Sequence, residues 1–517
     1  MKQEDESAKE AQPFSRTAEG QDAALAFAAE CSVVPMDDAT DRRVRRKIDC
    51  NLLPWMCGLY LLQYLDKTTL SYASSMGITT DTGMSSAQYS WTGSIFYLGY
   101  LVLQYPHNRL MQRLPVARYV AVSVVVWGII LATTAGTTDF AGIMTVRFFL
   151  GALEGAVTAG ECVRSSGKTC LVLTAAGFVL ITGKWYRASE QAFRTGIWFC
   201  FNGVAQVVGG ALAYGVSRGF EENSHMHFSA WKALFLITGL ATSAYGIALF
   251  FLLPESPISA PWLSEEERHV AIERLRSNQQ GVGTKVFKWY QFREAFTDIR
   301  TYLIFLFLVT VDIPCGGITV FFTQLIGGMG FDANTTFLIT MPAGVVQVVC
   351  NLGFAYLAQR TGFRMLSAAA AMCLSLFGIA LMAGLARDGP TAHTTGQIIG
   401  YYITIGNSAT ATILTLSSIS SNVAGYTKKT TVNAVALVGY CVGFLIGPQT
   451  FRDGPSYTNA KINIVAQWFA ALCFCLALHL VNKRENAKRD KLACSPPVGQ
   501  EFQDLTDREN PYFRYSL

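Results

Sequence analysis

Long apolar runs separated by short polar stretches dominate the chain, and about twelve of them reach the roughly 20 residues that a helix needs to cross a bilayer core. They fall at 51–72, 88–108, 117–136, 140–186 (interrupted), 192–217, 231–253, 301–325, 334–358, 364–386, 396–419, 430–450 and 463–481. Lipid-exposed backbone must satisfy its own hydrogen bonds, and these runs are too long and too apolar for barrel strands. The pattern predicts an all-α polytopic membrane protein, twelve transmembrane helices in two six-helix halves.

The polar segment 254–300 divides the pattern in the middle. It opens with Pro254-Glu255-Ser256-Pro257 and continues to Ser264 and Glu267, whose spacing is that of a capping box, so a short interfacial helix is expected to start there. The expected organisation is a disordered cytosolic N-tail (1–48), an N-terminal half (49–253), a central cytosolic loop (254–300), a C-terminal half (301–482) and a cytosolic C-tail (483–517). Glycines concentrate inside crossings, at Gly203, Gly209, Gly210 and Gly215 and at Gly439, Gly443 and Gly447, where small residues let helices pack closely.

Composition agrees with this pattern. The 517 residues are 51% hydrophobic and only 15% charged, against roughly 25% charged in soluble chains. The net charge of +5 does not point to a nucleic-acid partner, because the cations sit in short loops. Arg42, Arg43, Arg45, Arg46 and Lys47 precede the first run, and Lys483, Arg484, Lys488, Arg489 and Lys491 follow the last. Loops rich in Lys and Arg stay cytoplasmic, which predicts that both termini are on that side. The 13 cysteines show no metal-ligand spacing and no paired framework, the 6 histidines are scattered, and no nucleophile or phosphate-cradling motif appears. Neither an enzyme nor a cofactor or metal is expected.

Four charges stand inside apolar runs: Asp66 and Lys67 in the first, Arg147 and Glu154 in the fourth. A charge in hydrocarbon costs at least a few kcal/mol, about 2.5–3.5 on insertion scales, so such residues pair or line a polar space. Arg147 and Glu154 lie on nearly one helix face, two turns and about 10 Å apart. Asp66 and Lys67 point about 100° apart, so one can face inward while the other reaches a neighbouring helix. Two structural ion pairs between the first and fourth helices are the alternative reading. Polar residues at similar depth are Gln63, Asn202, Gln206, Asp312, Gln324, Gln347, Asn351 and Asn407. Asp312, followed by Pro314 and Gly316-Gly317, is expected to mark a broken helix.

The strings Tyr64-Leu65-Asp66-Lys67-Thr68-Thr69-Leu70-Ser71-Tyr72-Ala73, Gln88-Tyr89-Ser90-Trp91-Thr92-Gly93, Arg194-Thr195-Gly196-Ile197-Trp198, Pro254-Glu255-Ser256-Pro257 and Ser421-Asn422-Val423-Ala424-Gly425-Tyr426-Thr427-Lys428-Lys429 carry a resemblance. Together they resemble the major facilitator superfamily and, within it, the fungal allantoate permease-like branch of the anion:cation symporter family. The resemblance implies a proton-coupled symporter that imports a small organic anion, such as a carboxylate, vitamin or allantoate-like nitrogen compound, by alternating access. Matched position by position, it makes Asp66 and Glu154 the proton-coupling carboxylates and Lys67 and Arg147 the cations for the substrate carboxylate. By their depth, and apart from the resemblance, the eight polar residues above are secondary substrate-binding candidates, with an interhelical hydrogen bond as the other reading of each. Lys67 stands where the wider family often has Arg, and a point charge recognises a carboxylate differently from a bidentate fork. The expected partners are the anion, a proton and the bilayer, for a monomeric unit in the plasma membrane or the vacuolar membrane. A non-transporting nutrient receptor on the same fold is the alternative.

Residues 161–177 interrupt the resemblance. Family members run from the equivalent of Gly155–Gly160 straight into that of Phe178. Gly160-Glu161-Cys162 can be encoded GGT-GAG-TGC, which contains the intron donor GTGAGT, and Ala176-Gly177 can end in the acceptor CAG. The segment reads as a translated intron or a genuine insertion, and in the second case an inactive product is expected.

Overall fold

The computed structural model describes residues 37–111, 114–158, 164–165, 168–169, 185–222, 228–276, 287–389, 391–454, 457–491 and 505–517. The crossings are α1 (Asp38–Ser75), α2 (Ser86–Met111), α3 (Val116–Thr133), α4 (Phe140–Thr158), α5 (Ala188–Glu222) and α6 (Ala230–Leu252), followed by α7 (Ile299–Gly327), α8 (Ala333–Thr361), α9 (Arg364–Leu385), α10 in two pieces (Thr394–Ser408 and Thr410–Asn422), α11 (Tyr426–Ile446) and α12 (Thr458–Asp490). Eight of these described helices are long and apolar enough to cross a membrane. The others are α1, α2, α4 and the split α10.

Within the halves α2 packs on α4, α3 on α6, α7 on α11 and α9 on α10. Glycine sets the closest approach between α2 and α4. A Cβ on Gly151 would overlap the carbonyl oxygen of Phe96, and one on Gly99 would overlap that of Phe148. Backbone thus meets backbone, which brings the charged face of α4 against Phe96.

The halves meet through α1 on α7, α2 on α11 and α5 on α8. This seam is tight on the side opposite the termini. There Thr323 donates to the Ser71 carbonyl at 2.5 Å, Tyr89 to the Val320 carbonyl at 3.0 Å, Ser94 to the Leu445 carbonyl at 2.7 Å and Asn334 to Glu221 at 2.7 Å. Gly203 on α5 and Gly344 on α8 face each other at the crossing of those helices, where a Cβ on either would overlap the other's carbonyl oxygen.

On the termini side, the described ion pairs join elements of the same half. Arg274 bridges Asp41 (2.7 Å) and Glu190 (2.9 Å), while Lys47 holds Glu267 at 2.5 Å. Lys428 is shared by Glu294 (2.9 Å), Asp298 (2.8 Å) and Asp507 (2.7 Å). Burial alone would raise the Asp298 carboxyl, but the Lys428 and Arg300 charges beside it hold it below the ordinary carboxylate value.

Several expectations are met and others corrected. The interfacial helix Glu265–Arg276 starts at the capping box, with the Ser264 amide donating to Glu267 and the Glu267 amide to Ser264 Oγ. The break expected near Asp312 is absent: α7 runs unbroken through Pro314. The break falls instead in α10, at Ala409. Helix α1 begins at Asp38, inside the segment read as a tail, and α12 runs on to Asp490. Residues 505–517 then fold back onto the C-terminal half. Tyr515 donates to Asp507 at 2.7 Å, and its ring packs 3.9 Å from the Arg300 guanidinium. The anomalous segment 161–177 lies outside the described residues, apart from Arg164–Ser165 and Lys168–Thr169, which pair as antiparallel two-residue strands.

Candidate functional site

The four charges converge between α1 and α4, but each pairs across rather than with its sequence neighbour. Lys67 Nζ lies 2.6 Å from Glu154 Oε1, and Gln63, one turn earlier on α1, donates to the same oxygen at 2.7 Å. Arg147 Nη1 lies 3.9 Å from Asp66 Oδ1. The other Asp66 oxygen accepts the Trp127 indole N–H of α3 at 2.8 Å. Phe96 of α2 sits between the cations, its ring 6.0 Å from Lys67 Nζ and 5.3 Å from the Arg147 guanidinium.

The two pairs differ in access. The Lys67 side chain retains 16% exposure, while those of Glu154, Asp66 and Arg147 retain 0%, 0% and 3%. Lys67 and Glu154 therefore form the approachable pair. Arg147 and Asp66 form an inner one, fixed by Trp127 and by an Arg147 Nε bond to the Thr92 carbonyl at 3.4 Å. Arg147 Nη1 has no hydrogen-bond partner among the described residues.

The secondary residues spread around this centre. Asn202 hydrogen-bonds Tyr60 of α1, and Gln206 lies at the α5–α8 crossing, its Cβ beside Gly344. Gln347 of α8 lies beside Tyr64 of α1, across the seam between the halves at the level of the charges. Asn351 accepts from Thr410 at 2.6 Å, and Asn407 donates to the Ile403 carbonyl at 3.0 Å. Asp312 accepts from Thr412 at 3.1 Å and is 2% exposed. Gln324 is not part of this group. It lies about 18 Å along α7 from Asp312, bonded to Tyr457 at 2.6 Å.

Trp127, Thr92 and Thr412 are site residues that the sequence reading missed. A tryptophan or threonine in an apolar run carries no signal apart from its partner. Among the described residues, no cluster of His, Cys, Asp and Glu could hold a metal ion.

Residues 56–163 and 170–448 match the family model described as Major Facilitator Superfamily. The chain belongs to the major facilitator superfamily. It is a multi-pass membrane transporter of the allantoate permease-like branch. An uncharacterized transporter of Schizosaccharomyces pombe is 40% identical over 96% of this chain and 94% of its own length. The allantoate permease of Saccharomyces cerevisiae is 36% identical, over 96% of this chain and 90% of its own length. A bacterial homologue of the human lysosomal transporter Spinster, solved inward-facing and unoccupied, shares the fold with a TM-score of 0.58 and 16% identity, over 86% of this chain and 98% of that one. The superfamily match pauses at 164–169, inside the anomalous segment.

Proposed function

We propose that this transporter imports a small organic anion together with a proton, by alternating access. The observation that carries the proposal is the 2.6 Å contact between Lys67, the one partly exposed charge of the site, and the fully buried Glu154.

While Glu154 is ionised it occupies Lys67, and a ligand carboxylate must compete with it. A proton on Glu154 removes that competitor, and the ligand carboxylate takes its place beside the ammonium. The site is then neutral in two states: empty with Glu154 ionised, or loaded with both anion and proton. A state with only one of the two leaves a buried charge uncompensated, which costs about 3–5 kcal/mol when one partner of a buried pair is removed. Proton and anion therefore travel together.

Arg147, with an Nη1 group still without a hydrogen-bond partner among the described residues, is the second cation for the carboxylate. Asp66, held by Trp127, keeps that guanidinium oriented and is the second carboxylate able to carry a proton. The named relative supports an anionic substrate, since allantoate is a small carboxylate. With both termini cytoplasmic, as the Lys and Arg clusters beside them support, the seam closed opposite the termini supports an inward-facing state.

Uptake of labelled small carboxylic acids into cells, with and without a protonophore, tests the proposal. Uptake that collapses with the proton gradient supports it. Uptake that ignores the protonophore and is unchanged by Glu154→Gln contradicts it.

A further inference from the structure

The two halves of the polar layer offer opposite chemistry. The N-terminal half presents cations, Lys67 and Arg147. The C-terminal half presents an acceptor that nothing in the described structure satisfies. Asp312 is 2% exposed, and its Oδ1 takes the Thr412 hydroxyl at 3.1 Å, yet its Oδ2 has no hydrogen-bond partner among the described residues. The described ion pairs give it no cation. Its surroundings are apolar or only weakly polar: Gly443 of α11 sits against its Cβ, and Cys315, one turn on, donates to the Ser408 carbonyl at 3.6 Å. Asn407, close to the α10 break, likewise has an Oδ1 acceptor without a partner.

A buried carboxylate is stable only when a proton, a cation or a hydrogen-bond donor neutralises or satisfies it. Phe96 of α2 contacts both cations, its neighbour Tyr97 packs 4.6 Å from the Phe444 ring of α11, and Gly443 beside Phe444 sits against Asp312, which sets this acceptor across from the charged pairs at similar depth in the bundle. We infer that Asp312 receives the nitrogen end of the transported anion. The substrate class is then a small acid whose carboxylate meets Lys67 and Arg147, and whose amine, amide or ureido N–H groups meet Asp312 Oδ2 and Asn407 Oδ1. Ligand carboxylate to the N-terminal half and ligand N–H to the C-terminal half makes the ligand itself the bridge between the halves. That bridge is what a rocking mechanism needs to sense that its site is filled. The inference rests on the anion site proposed above and adds the polarity of its far end.

Matched pairs of acids test it. β-Ureidopropionate is compared with the isostere in which both nitrogens are carbon, and β-alanine with butyrate, by binding to the full-length protein in nanodiscs. Wild-type protein is expected to bind each N–H acid about ten-fold or more tightly than its isostere. Asp312→Asn is expected to shrink that ratio to roughly two or less, and Thr412→Val, which only loosens the carboxylate, to give a value between. Melting temperatures of the variants in the same nanodiscs separate a folding defect from a recognition defect, because only the latter changes the ratio. Equal affinity within each pair in wild-type protein, or a ratio that survives Asp312→Asn, overturns the inference and leaves the anion site standing. Failure of the wild-type protein to bind either member of both pairs overturns the inference and the anion reading together.

Discussion

Lys67 Nζ lies 2.6 Å from Glu154 Oε1, so the cation best placed to meet a ligand is already held by the buried carboxylate of another helix. The pairing is crossed: Asp66, its neighbour in sequence, turns away to Trp127 and Arg147. A ligand carboxylate can join Lys67 only by displacing Glu154.

Glu154→Gln keeps the shape of the side chain and removes its charge. Lys67 is then permanently free, so anion binding is expected to become insensitive to pH. Uptake driven by a proton gradient in proteoliposomes should fall more than ten-fold while exchange of anion for anion persists. Loss of exchange along with driven uptake would show that the carboxylate is needed for more than coupling.

Trp127→Phe leaves an Asp66 oxygen buried without its donor. An unsatisfied buried acceptor costs about 1–3 kcal/mol, so the melting temperature should fall by several degrees while ligand affinity changes less than three-fold. A large affinity loss at unchanged stability would place Trp127 in direct contact with the ligand.

Gly203→Val puts a branched side chain where the Gly344 carbonyl oxygen lies. Closure of α5 on α8 becomes impossible, and transport should drop more than ten-fold. Cysteine-labelling accessibility should rise on the side opposite the termini. Normal turnover would mean that this seam does not close during transport.

The folded-back C-terminal segment makes a pH prediction. Asp298 is held below its ordinary value by Lys428 and Arg300, so its ionised form stabilises the fold. That contribution is fully present above the unfolded carboxylate value near 4 and is lost as pH falls through the lower folded value. Melting temperature should therefore drop on acidification below about pH 4. Deletion of residues 505–517, which removes the Asp507 bridge to Lys428, should lower it at every pH.

The sequence made the bundle and its four central charges legible because hydrocarbon tolerates few ionised groups, and those it tolerates stand out. The capping box at Ser264 was legible for a local reason, as both partners lie within one turn. The two pairs, Lys67 with Glu154 and Asp66 with Arg147, were legible as one of two readings, whereas the partial exposure of Lys67 alone was not, since it depends on how α1 and α4 rotate against Phe96. Pro314 misled because a proline in a buried helix can be accommodated by its neighbours, whereas the interruption at Ala409 has no proline and only Gly406, three residues earlier, in a run where glycines are common. The docking of Tyr515 on Arg300 was equally hidden, resting on residues far apart in sequence that meet only after folding.

In the proposed mechanism a proton and an anion exchange for the Lys67–Glu154 contact. Calorimetric binding of one substrate acid near neutral pH, repeated in buffers of different ionisation enthalpy, counts protons taken up per anion bound. Uptake approaching one proton is expected in wild-type protein and none in Glu154→Gln. Proton-independent binding in the wild type, or the same proton uptake in Glu154→Gln, would contradict it.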